Sequence, residues 1–290
     1  QTKSINMGTL IENPVMRDPA VIAGSIATLD AVDPGRIHLG IGVGDTAVRL
    51  MGKRPAKVQE LQTATAAIKT LLDGETLEVR AAQPARLRHS IEPSRRPPIW
   101  IASQGPKTLR MAGQIADGVF IRVGTHPKNI QHAIEQVHLG ARDAGRRPSD
   151  IKIACIFHTI LEDDAAREKS IARSTAAGYF EHTPSLFDHA GLKWNGPAID
   201  KLKDQVWPDF HHVSDLEAAG ELVSFLSDEV ADAFSLHGDT IEIGAQLRSI
   251  IDQCRPLDLI IPHPTPTPRP ATASPPYTAA LAEKIMSNLS

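Results

Sequence analysis

Short apolar runs alternating with helical segments along 290 residues predict an α/β protein built on a parallel sheet. The runs at 99–102, 118–123 and 257–261 lack the apolar–polar alternation of a half-exposed sheet, as buried parallel strands do. The third observation is the stretch Gly35-Arg36-Ile37-His38-Leu39-Gly40-Ile41-Gly42-Val43-Gly44-Asp45. A β-branched run turns into alternate glycines and ends on a carboxylate. Gly40, Gly42 and Gly44 carry no Cβ and would let a flat ligand approach the backbone. Asp45 falls where the strand stops, the place at which α/β folds put their chemistry. A dinucleotide-binding turn needs a third glycine where Asp45 stands, and a carboxylate there would face the pyrophosphate.

The elements follow in order. An apolar run at 5–11 reads as a buried strand, and Asn13-Pro14 and Asp18-Pro19 punctuate the loop after it. A helix over 20–32 carries Val21, Ile22, Ile26 and Leu29 at helical spacing and stops at Asp33-Pro34-Gly35. The glycine strand comes next, then a helix over 58–72 and a polar excursion over 75–97. A strand at 99–102 runs through Ser103-Gln104-Gly105-Pro106-Lys107 into a helix over 108–115. A strand at 118–123, a helix over 127–145 and a strand at 151–159 follow. Residues 162–234 read as mostly helical, with a loop around Trp194-Asn195-Gly196-Pro197. A helix over 240–253, a last strand at 257–261, a proline-rich loop over 262–276 and a final helix complete the chain. Six strands suit an open doubly wound sheet, whereas a closed (β/α) barrel needs eight.

Composition excludes several classes. A formal net charge of -3 gives no electrostatic case for nucleic acid or an acidic membrane. No apolar run approaches the roughly 18 residues that a membrane span needs. The opening Gln1-Thr2-Lys3-Ser4 lacks the apolar core of a signal peptide. Cys155 and Cys254 lack metal-ligand spacing and read as buried reduced thiols, which implies the cytoplasm. The histidines, His211-His212 among them, show no ligand pattern, so no metal site is expected.

Three segments in order resemble the luciferase-like monooxygenase superfamily of flavin- and deazaflavin-dependent (β/α)8 TIM barrels. They are Met7-Gly8-Thr9-Leu10-Ile11-Glu12-Asn13-Pro14 with Arg17-Asp18-Pro19, then Ala27-Thr28-Leu29-Asp30-Ala31-Val32 running into Pro34-Gly35-Arg36, then Pro98-Ile99-Trp100-Ile101-Ala102-Ser103-Gln104-Gly105-Pro106 with Ala112-Gly113 and Ala116-Asp117-Gly118. The match covers residues 1–124, and 257–261 fits more loosely. The resemblance implies a single barrel domain over 1–290 with a mostly helical insertion at about 162–234. It makes the strand at residue 5 the family's third, so the first two β/α units are expected to be missing, with homodimerisation covering the gap, poor binding, or both.

Between a strand end and a helix start, the backbone N–H groups of the 103–107 turn form an anion site. The resemblance implies that Ser103, Gln104, Gly105, Pro106 and Lys107 bind the ribityl phosphate of F420 or FMN. It also implies a non-proline cis peptide at Leu10-Ile11 as a bulge behind the ring, with Asn13, Gly42 and Gly44 beside it. Asp45 matches an acidic position of the deazaflavin-dependent members and could exchange a proton there; its everyday alternative is a helix N-cap. His158 and His263, at the ends of strands, are candidate acids, bases or substrate donors. The expected activity is hydride transfer between reduced F420 and a small organic substrate. An FMNH2-dependent monooxygenase served by a flavin reductase and a non-catalytic flavin-binding relative are the alternatives.

Overall fold

The computed structural model describes residues 3–78, 83–88, 95–265 and 279–285. Much of the proline-rich loop, part of the polar excursion and the end of the final helix therefore lie outside the described residues. The chain divides into two compact units, residues 1–120 with 136–152 and residues 121–135 with 153–290. The class is α/β, as expected.

In the first unit the strands are β1 (Met7–Gly8), β2 (Ile37–Ile41), β3 (Ile99–Ser103) and the start of β4 (Gly118–Ile121), in that order across the sheet. β2 runs parallel to β1 and to β3, with Leu39 opposite Ile99 and Gly40 opposite Trp100. Leu39, Ile41, Ile99 and Ile101 point one way and are fully buried. Gly40 lies on the other face with Trp100, whose ring stacks on Phe120 at 4.9 Å. The helices are α1 (Pro19–Val32), α2 (Thr46–Leu50), α3 (Val58–Leu72), α4 (Pro106–Ile115) and the end of α5 (Pro127–Asp143). Asp18 starts α1 by accepting from the Ala20 amide, and Pro19 fills a first-turn position that needs no N–H.

In the second unit β5 (Lys152–Leu161) pairs in parallel with both β6 (Leu236–Gly238) and β7 (Leu259–Pro264). Between β5 and β6 lie α6 (Ala165–His182), α7 (Ser185–Ala190), α8 (Asp200–Lys203), α9 (Leu216–Glu221) and α10 (Asp228–Asp232). The region expected to be helical is so. α11 (Thr240–Gln253) opens on a capping box between Asp239 and Glu242.

Three expectations need correction. The run at 5–11 is not a buried strand: only Met7–Gly8 pairs regularly, and Ile5, Met7, Leu10 and Ile11 are exposed. The ladder breaks after Thr9, whose hydroxyl takes over by donating to the Gly40 carbonyl and accepting from the Gly40 amide. Pairing resumes at Glu12, whose amide donates to Gly40. Six strands become seven among the described residues, because β6 is too short to leave a pattern. The last strand starts at Leu259, since Asp258 is spent on β5, where its carboxylate accepts from the Ile153 amide.

Candidate active site

The first unit gathers every residue expected to hold a cofactor. The Leu10–Ile11 peptide is cis, as the resemblance implies. Gly40 of β2 and Gly42 just past its end make room for this bulge: a Cβ on Gly40 would meet the Thr9 carbonyl oxygen at 2.2 Å, and one on Gly42 would meet Ile11 Cδ1 at 2.4 Å. A flat ligand pressed directly on Gly40 and Gly42 is thus corrected to a segment of the chain itself pressed on them, with Leu10 and Ile11 exposed beyond. Gly44 has φ +70° and abuts Asn13. Asn13 is buried, and its Oδ1 accepts from the Val15 and Met16 amides, the turn-forming arrangement. Asp45 occupies the N-cap position of α2 without a side-chain cap bond and pairs instead with Arg49.

At the end of β3 the chain turns into α4, with Gly105 as N-cap and Pro106 in the first turn, two residues earlier than the sequence suggests. Ser103 Oγ and Gln104 Nε2 are buried and have no hydrogen-bond partner among the described residues. Buried polar groups are ordinarily satisfied, so two orphans side by side at a helix N-terminus mark a place for an anionic acceptor. A Cβ at Gly105 would meet nothing within 4 Å, so the space in front of the turn is open. Lys107 is exposed beside it. The residues present therefore fit a phosphate-bearing cofactor tail.

The second unit holds the two candidate histidines, placed side by side by the register of β5 and β7, in which His158 faces His263. Arg122 Nη2 donates to His158 Nε2, so the imidazole proton is on Nδ1 and donates to Thr265 Oγ1 at 2.8 Å. Burial, reinforced by Arg122, pushes His158 far below the usual histidine range. His158 is a neutral, doubly engaged side chain, with its lone pair given to a guanidinium. His263 Nδ1 has no partner among the described residues, and burial lowers this side chain to about 4. A cavity of about 960 Å³ in this unit lies elsewhere, around His237, which Glu168 and Asp232 contact at 2.6 and 2.8 Å.

The family model of luciferase-like monooxygenases matches residues 1–253. The chain belongs to that family. A 5,10-methylenetetrahydromethanopterin reductase of Methanolobus tindarius is 30% identical over 267 residues, 87% of this chain and 75% of the relative. A phthiodiolone/phenolphthiodiolone dimycocerosates ketoreductase of Mycobacterium tuberculosis is 31% identical over 191 residues, 60% of this chain and 49% of the relative. Among solved structures, the coenzyme F420-dependent tetrahydromethanopterin reductase of Methanopyrus kandleri superposes with a TM-score of 0.74 at 21% identity, over all of this chain and 84% of that one. An F420-dependent secondary alcohol dehydrogenase follows at 0.68 and 17%, over all of this chain and 81% of that one. At these identities the two structures speak for the fold.

The family match begins at residue 1 of this luciferase-like chain and gives no support to the expectation that the family's first two β/α units are missing. The structure of this family member also brings His182 and Asp209, which the sequence did not single out, to His211, for which no ligand pattern was expected. His182, Asp209 and His211 place their ligand-type atoms within 4.8 Å of one another. The dense Asp209-Phe210-His211-His212 run was the available signal. Arg122, which orients His158, carried no signal in the sequence. Among the described residues of this family member, no helix is long and apolar enough to cross a membrane.

Proposed function

We propose that this chain is an oxidoreductase transferring hydride between reduced coenzyme F420 and a small organic substrate. The observation that carries the reading is the pair of unsatisfied donors, Ser103 Oγ and Gln104 Nε2, ahead of α4 in a luciferase-like fold. The F420-dependent reductase and alcohol dehydrogenase among the similar solved structures support F420 over FMN. When bound, the deazaflavin supplies the hydride chemistry. The protein's part is to bind and to manage protons. Ser103, Gln104, the open Gly105, Pro106 and the positive start of α4 hold the phosphate, with Lys107 adding a charge. The Leu10–Ile11 bulge, backed by Gly42, and the Asn13–Gly44 contact support the ring. Asp45 exchanges a proton at its carboxylate. In the second unit Arg122 and Thr265 hold His158 neutral, and His263, whose Nδ1 has no partner among the described residues, is the better proton acceptor.

The test is fluorescence titration of the full chain with F420 and with FMN. Tighter F420 binding is expected, and Ser103→Ala should weaken it about tenfold or more, the worth of a hydrogen bond to a charged group. Preference for FMN would replace this reading with an FMNH2-dependent monooxygenase served by a flavin reductase, which the fold likeness to an EDTA monooxygenase, TM-score 0.64, supports. Failure to bind either would favour a non-catalytic relative. The proposal includes one domain over 1–290, since the family match runs through both units. It includes a cytoplasmic homodimer: Val21, Leu29 and Val32 leave an exposed apolar side on α1, and both cysteines are free thiols.

A further inference from the structure

We propose that His182, Asp209 and His211 bind a divalent transition-metal ion of the zinc class, a site independent of the cofactor reading. Their ligand atoms lie within 4.8 Å of one another, and Asp209 and His211 are buried. A buried carboxylate is costly unless a positive partner answers it. His211 donates its Nε2–H to the Thr175 carbonyl at 2.9 Å, which leaves Nδ1 as its lone pair. A histidine that ligates a metal is typically held in this way, by a backbone carbonyl on its other nitrogen. Gly178 provides the seat: a Cβ there would meet His211 Cδ2 at 2.2 Å.

Asp209 is equally fixed. Its Oδ1 accepts from the His211 amide at 2.9 Å, the His212 amide at 3.0 Å and His212 Nδ1 at 2.8 Å. Glu181 supplies a second carboxylate nearby. It accepts from the Phe210 amide at 3.2 Å. Two carboxylates balance a divalent ion. Arg122 opposes it, but that guanidinium is tied to His158. Two imidazole nitrogens with one carboxylate oxygen suit zinc, cobalt or nickel rather than magnesium or calcium. Three protein ligands leave a fourth position for water or a substrate atom.

The experiment is to dialyse the full chain against a chelator, then titrate Zn(II) in competition with a chromophoric chelator and record the visible spectrum with Co(II). One equivalent of Zn(II) per chain and a tetrahedral-type Co(II) spectrum are expected. His182→Ala and Asp209→Asn should each weaken Zn(II) binding by about tenfold or more. His182 ends α6 and is part-exposed, so its variant keeps the fold, as circular dichroism would verify, and it decides alone if Asp209→Asn does not fold. Absence of stoichiometric binding, or a smaller loss in the deciding variants, overturns the site.

Discussion

At the residue scale, burial decides which side chains can do chemistry. His158 shows it: at the end of a barrel-type strand it reads as an acid or base, yet its two nitrogens are occupied by Arg122 and Thr265. The cysteines show the opposite use of burial. Burial raises the Cys254 thiol to about 11, and Cys155 is raised further by burial and by Cys254. Only about one Cys254 thiol in a thousand would be ionised at pH 8, and the thiolate is the reactive form. Ellman's reagent should therefore find no rapidly reacting thiol in the folded chain at pH 8 and two after denaturation. A fast native thiol would mean that one of the cysteines is exposed.

At the element scale, α4 and α5 meet backbone to backbone. A Cβ on Gly140 would lie 1.9 Å from the Arg110 carbonyl oxygen, and one on Gly113 would lie 2.0 Å from that of Val137. Helix propensity alone would make Gly140→Ala stabilising by about 1 kcal/mol. The clash is with main chain that cannot swing aside, so overpacking wins and a net loss of about 1–3 kcal/mol is expected in urea denaturation. An unchanged or raised midpoint would show that the two helices stand farther apart. Most elements were legible because strands and helices with long buried faces leave periodic apolar patterns. β1 misled because its apolar residues are exposed around the bulge, and β6, three residues long, has no period to read.

At the scale of the whole molecule, the response to acid follows from histidines held neutral. Burial lowers His263 to about 4, and burial also lowers His38, His126, His132 and His138. In the unfolded chain each would take up a proton near pH 6.5. Below that pH the unfolded state binds more protons, so stability is fully present above about 6.5 and is lost as pH falls, for His263 down to about 4. His263, the most deeply buried of the five, can contribute up to about 1.4 kcal/mol per pH unit over that window, and the other four, more open to solvent, add less. The urea midpoint should fall steadily from pH 7 to pH 5, and His263→Gln should flatten part of the fall; a level profile would mean that these histidines are protonated in the native chain. The junction from β3 into α4 was legible, since contiguous Ser103–Lys107 carries its own turn chemistry. The His182–Asp209–His211 group was not, because the fold brings distant residues together and no local pattern records it.

Arg96 joins the end of α3 to the base of β3. Its guanidinium grips Asp117 through two bonds of 2.6 and 2.8 Å and reaches Asp73, just past α3, at 2.9 Å; Asp117 also accepts from the Ile99 amide. The stretch between Asp73 and Arg96 is thus riveted at both ends to the same point of the first unit. Closing a loop between fixed ends costs only about 0.6 kcal/mol for each doubling of its length. Segments of quite different size can therefore be accommodated between these two anchors while β3 and α4 keep their places.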